Sequence, residues 1–188
     1  MKKIVLSTML ITSFAGAPAA PAVVVNSGDI TSSITVIPIK GAAIEAIFSE
    51  WDEYFDGRSK FSYKFLRKYS SPTVAKDIYQ SIPVYDGEDK VEIYRRRTAD
   101  CIVESFQLQI QADGNASLIT TSRAYIAGSL SVTPQNEPEV QRVTTYSLKR
   151  NEGQQHLPRA YFAKTKTRIS KDKACTDAEI NSLLLDTY

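Results

Sequence analysis

The sequence predicts an α+β domain: N-terminal helices packed on a curved, cone-shaped antiparallel sheet of about four strands, with a short C-terminal helix. Three observations predict it. Apolar residues between Ala42 and Tyr69 recur at helical spacing. From Lys90 onward the period moves toward two, the period of a strand. Thr176-Asp177-Ala178-Glu179 then has the form of a capping box, which opens a last helix.

The chain starts with an export signal. Met1-Lys2-Lys3 is a short positive region, and Ile4 to Phe14 is apolar apart from Ser and Thr. Ala15-Gly16-Ala17 and Ala17-Pro18-Ala19 offer the small residues that a signal peptidase reads. Residues 1–22 therefore read as a bacterial-type signal peptide. No charge occurs from Ile4 to Gly28, so a retained signal anchor in the inner membrane is the alternative. Either reading puts the body of the chain in the periplasm.

Residues 23–41 read as an extended lead-in, and 42–188 as one domain. Asn26 to Ser33 is small and polar, and Pro38 makes Ile34 to Ile39 an edge strand or an arm. The first helix is expected over Ala42 to Phe55. Ile44, Ile47, Phe48, Trp51 and Phe55 form its apolar face, and Asp56-Gly57 ends it. The second runs from Ser59 to Lys68, with Phe61, Phe65, Leu66 and Tyr69 inward. Ser71 caps a third helix, because Pro72 at its first position loses no needed hydrogen bond. Val74 and Ile78 lie on its buried side. Ile82-Pro83 stops it, and Asp86-Gly87 turns the chain.

Strand sequence follows. Val91 and Ile93, then Ile102, Phe106, Leu108 and Ile110, lead to a hairpin turn at Ala112-Asp113-Gly114-Asn115. Leu118 to Leu130 returns as a long strand, and Thr133 to Pro138 is a loop. Val140 to Arg150 is the third strand, and Arg159 to Ile169 the fourth. The C-terminal helix carries Ile180, Leu183 and Leu184.

Composition excludes some functions. Without Lys2 and Lys3, the 23 Lys and Arg fall to 21, equal to the 21 Asp and Glu. A neutral mature chain is a poor nucleic-acid binder. Arg95-Arg96-Arg97 reads as a solvated strand, with at least one Arg turned inward or along the edge. The two cysteines, Cys101 and Cys175, are expected to form one disulfide in an oxidising compartment; two buried thiols are the alternative. His156, the only histidine, lies in a polar turn and reads as a surface residue. No phosphate loop, metal-ligand spacing or nucleophile motif is present, so no catalytic residue, metal or cofactor is expected. Within a cone-shaped pocket, Asp100 and Tyr125, or Tyr94 or Tyr146, are the nominees for moving a proton.

Several segments carry a resemblance. They are Trp51-Asp52-Glu53-Tyr54, Ser70-Ser71-Pro72-Thr73-Val74-Ala75, Asp113-Gly114, Thr145-Tyr146-Ser147-Leu148 and residues 159–169. Together, over about Ile44 to Ile169, the chain resembles the periplasmic domain of the VirB/TrbF-type inner-membrane subunit of type IV secretion systems. That family has a nuclear-transport-factor-like fold. Its Asn-Pro-x-Gly loop is absent here, where Gln155-His156-Leu157-Pro158-Arg159 stands. The two cysteines and the capped final helix are additions. The resemblance implies a non-catalytic scaffold of a secretion or conjugation-like machine. Its partners would be other secretion-system subunits and further copies of itself. Candidate contacts are Glu50 and Tyr54 on the first helix, and Lys76 and Tyr79 on the third. The alternative is a periplasmic small-ligand-binding or isomerase-like domain of the same fold. A third reading is a generic exported structural or immunity-type protein.

Overall fold

A computed structural model of the protein describes residues 23–38, 43–54, 58–69, 78–97, 101–124, 140–151, 153, 158–170 and 174–185. Among these residues the chain forms twelve strands and one short α-helix. The expected α+β cone, with helices packed on about four strands, is overturned, and with it the fold that the resemblance implied.

The expected first and second helices are strands. β3 (Ala46–Tyr54) and β4 (Arg58–Tyr69) form an antiparallel hairpin with Ile47 opposite Phe65 and Trp51 opposite Phe61. The physical reason lies in β4. Phe61, Tyr63 and Phe65 alternate with Lys60, Ser62 and Lys64, and aromatic residues favour a pleated, half-buried surface. In β3, Phe48 lies on one face while Ile47 and Trp51 lie on the other, and this mimics helical spacing. Residues 70–77, where the third helix was expected to begin, lie outside the described residues; Ile78–Ile82 form a strand, β5.

The remaining strands are β1 (Val23–Asn26), β2 (Ile34–Val36), β6 (Val84–Asp86), β7 (Asp89–Val91) and β8 (Ile93–Arg97). They are followed by β9 (Ile102–Ile110), β10 (Ala116–Ala124), β11 (Val140–Arg150) and β12 (Ala160–Ser170). The sheet order is β2-β3-β4-β8-β9-β10-β11-β12-β6-β7, with β1 on β9 and β5 on β4. Residues 23–38, read as a lead-in, thus supply two strands. Val25 of β1 pairs with Leu108, and the Ser27 hydroxyl lies 2.6 Å from that of Ser105.

Pro83 separates β5 from β6. Having no N–H, it ends the ladder that β5 makes with β4. The next residues pair in parallel with β12, Val84 opposite Phe162. One short segment therefore ties β4 to β12, and the sheet curls around its core. The fully buried rings show the closure: Phe65 lies 5.6 Å from Phe106 and 5.5 Å from Phe162, both edge to face. These rings come from β4, β9 and β12, which are not sheet neighbours.

A second, smaller core lies under α1 (Asp177–Leu185). Ile180 and Leu183, with Ala174, cover Ile102, Ile119 and Val143. The expected disulfide is formed. It joins Cys101, before β9, to Cys175, before α1, across a sequence separation of 74. The capping box is formed too. Glu179 N–H donates to Thr176 Oγ1 at 3.3 Å, and Thr176 N–H to Glu179 Oε2 at 3.0 Å. Thr176→Ala is expected to cost about 1 kcal/mol locally. Hydrogen exchange should then quicken in α1 and stay unchanged in β9–β12.

Candidate ligand site

Residues directly opposite on paired strands share a face. One face of β9–β12 can therefore be read row by row. Leu108, Leu118, Tyr146 and Lys164 form one row, and Phe106, Thr120, Thr144 and Thr167 the next. Glu104, Ser122, Arg142 and Ile169 form a third. The face changes along the strands from apolar core to hydroxyls and then to charge. Its apolar end is filled by Phe65 and its neighbours. Its polar end is open, a hollow of about 400 Å³ walled on one side by the Val91–Tyr94 segment. A further hollow of about 510 Å³ lies against the same segment, bordered by Glu50, Lys60, Lys64 and Lys90.

Charges in the first hollow are mostly matched. Lys164 pairs with Asp86. Glu104 Oε2 lies 3.0 Å from Arg96 Nε, close enough for an ion pair although the angle makes no hydrogen bond. The Tyr94 ring meets two cations, 4.0 Å from Lys60 Nζ and 5.0 Å from Arg96 Cζ, and its hydroxyl donates to Glu92. Arg142 is exposed at the rim and forms no ion pair or hydrogen bond among the described residues.

Burial pushes the Tyr146 phenol up, and the nearby Asp86 adds to this, so Tyr146 presents a neutral donor. Burial also lifts the Glu104 carboxyl above its ordinary 4.5, against the pull of Arg96 and then Lys60. The folded chain therefore holds this proton more tightly than the unfolded chain does. That stabilisation is fully present below the unfolded value and is lost as pH rises through the raised folded value. Glu104→Gln abolishes the titration. Its melting temperature should gain on that of the parent as pH rises from the unfolded value through the raised folded one. A constant difference between the two proteins would refute the shift.

The expected contacts fare unevenly. Glu50 and Tyr79 lie on strands, not helices. Glu50 faces Ser62 and Tyr79 faces Lys68, so both are on one face of the β3–β4–β5 layer. Six residues of β4 separate them, ~20 Å, so they are not brought together. The backbone of Tyr54 pairs with Arg58 at the hairpin end; its side chain, and all of Lys76, lie outside the described residues. So do Asp100, Tyr125 and His156. The other two pocket nominees, Tyr94 and Tyr146, both line the 400 Å³ hollow.

The Arg run divides as its alternation requires. Arg95 turns to Asp177 at 3.0 Å, Arg96 to Glu104, and Arg97 is exposed. Sequence reasoning missed Glu104, Arg142, Thr144 and Lys164. The available signal was the two-residue spacing of Thr120 with Ser122, and of Arg142 with Thr144, which puts each pair on one face of its strand.

No family model matches the chain, and no curated protein matches it. The fold is similar to that in the crystal structure of CarG, with a TM-score of 0.58 and 12% identity, over 87% of this chain and 94% of that one. At that identity the likeness shows the fold alone.

Proposed function

We propose that this is an exported, non-catalytic binding protein that takes a small polar ligand in the hollow over β9–β12. One observation carries this reading. The Glu104–Ser122–Arg142 row and the Thr120–Thr144–Thr167 row converge on an open space at the polar end of the face that carries the core. Polar groups that converge in a concave space mark a ligand site. The Cys101–Cys175 disulfide is compatible with export, and among the described residues no helix is long and apolar enough to cross a membrane.

The test is a calorimetric screen of small carboxylates, sugars and polyols against the parent and Ser122→Trp. The indole is placed to fill the hollow. Binding that weakens at least tenfold in the variant, with its melt unchanged, supports the site. A parent that binds none of these classes, or a variant that binds them equally well, overturns it.

A second reading keeps the scaffold that the resemblance implies. β2 ends the sheet, and Ile34 and Val36 on it are 55% and 68% exposed, with Trp51 on β3 at 56%. The other end of the sheet, β7, carries exposed Asp89 and Lys90, which guard against strand pairing. β2 has no such guard, so a strand of a secretion-channel subunit could extend the sheet there. Capture of such subunits from membrane extract, lost on joint Ile34→Lys and Val36→Lys substitution, would favour this reading over the hollow.

A further inference from the structure

We propose that the Cys101–Cys175 bond is an exchange-active disulfide, opened by a dithiol reductant, with Cys175 as the leaving thiolate. The surroundings of the two sulfurs differ. Arg123 Nη2 lies 3.0 Å from Cys175 Sγ, and also donates to the Ala174 carbonyl at 3.1 Å. Arg is charged at every accessible pH, and a fixed cation at a sulfur favours its thiolate. Cys175 also directly precedes Thr176, which caps the nine-residue α1, so it sits at the positive end of that helix. Cys101 is buried, with its sulfur 3.4 Å from the Ile102 carbonyl oxygen, a setting that favours the neutral thiol.

Two acidic groups face the same helix end. Glu179 accepts hydrogen bonds from the Cys175 and Thr176 N–H groups at 2.9 and 3.0 Å, and these, with a lesser pull from Arg123, hold its carboxyl below its ordinary value. Asp177 is paired with Arg95. The cation nearest the sulfur thus remains Arg123, carried on β10.

One thiolate of the dithiol bonds to Cys101 Sγ. The Cys101–Cys175 bond breaks, and its electron pair leaves on Cys175, beside Arg123. The second thiol of the reductant, as its thiolate, then attacks its own sulfur in the mixed disulfide. Cys101 is released as a thiolate and takes a proton from solvent. The dithiol has lost two electrons to the protein and become a disulfide. A stabilised leaving thiolate makes a disulfide easier to reduce. The structural consequence is local. The link between β9 and α1 is gone, and Ile102, Ile119 and Val143 keep their cover only through the packing of Ala174, Ile180 and Leu183.

The test begins with the intact chain reduced by dithiothreitol. The rate of iodoacetamide labelling at each cysteine is then followed against pH, with the sites separated by peptide mass. Cys175 is expected to titrate at least one pH unit below the usual thiol value of about 8.5, and Cys101 at or above it. Arg123→Gln should return Cys175 toward about 8.5, while Arg123→Lys keeps most of the depression. Measured above pH 8.5, where Cys175 is a thiolate in both proteins, the equilibrium dithiothreitol ratio needed for half-reduction should rise about tenfold in Arg123→Gln for each unit regained. A Cys175 that titrates normally in the parent, or is unmoved by loss of the guanidinium, overturns the proposal. So does identical, ordinary titration of both cysteines because the reduced chain has unfolded. If Arg123→Gln does not fold, the parent profile and Arg123→Lys decide.

Discussion

Phe65→Ala is expected to remove about 3–5 kcal/mol from the unfolding free energy. Phe65 is 1% exposed and meets Phe106 and Phe162 edge to face. Truncation loses the transfer energy of the ring and leaves a space between strands that are not hydrogen-bonded to one another. The rigid backbone on both sides cannot collapse into that space, so the cost falls in the upper part of the usual range. Urea unfolding should show a lower midpoint at unchanged slope. Phe61→Ala is the comparison. Phe61 is only partly buried, toward the exposed Trp51, and a clearly smaller loss is expected. Equal losses would mean that the ring trio does not organise the core.

Joint Cys101→Ser and Cys175→Ser substitution should cost about 4–5 kcal/mol, from loop-closure entropy over the separation of 74 residues. For a domain of this size that corresponds to a fall in melting temperature of roughly 10–20 °C. The stabilisation acts on the unfolded chain, so the native spectrum of β9–β12 should be retained below the melt. A melting temperature within about 3 °C of the parent would show that the unfolded chain is already compact across this loop.

The β9–β12 meander was legible because its signals are local. Asp113-Gly114 sets the hairpin, and Gly114 adopts the positive φ of 80° that such a turn needs. The Val140–Arg150 strand has the expected bounds, and Thr176 with Glu179 forms the expected cap. The N-terminal half was misread because Ile44, Ile47, Phe48 and Trp51 satisfy a helical spacing by coincidence. The alternation of Phe61, Tyr63 and Phe65 with Lys and Ser was the better evidence. The site was largely hidden. Tyr94 and Tyr146 stand out by residue type, but Glu104 and Arg142 look like the solvent face of ordinary strands. Only the register shows that they lie on the face that also carries the core. The curl itself rests on Phe162 and Ala163 pairing with Val84 and Tyr85, and no single-chain periodicity reports a contact so distant in sequence.

Val84 waits for a strand nearly eighty residues downstream. Until β12 has been made, β6 can pair only with β7, and the rings of Phe65 and Phe106 lack their third member. Contacts this far apart in sequence slow folding and lengthen the life of unpaired strands. A chain stopped anywhere before Ala160 should therefore be an open sheet with its core uncovered, and should aggregate where the full chain does not.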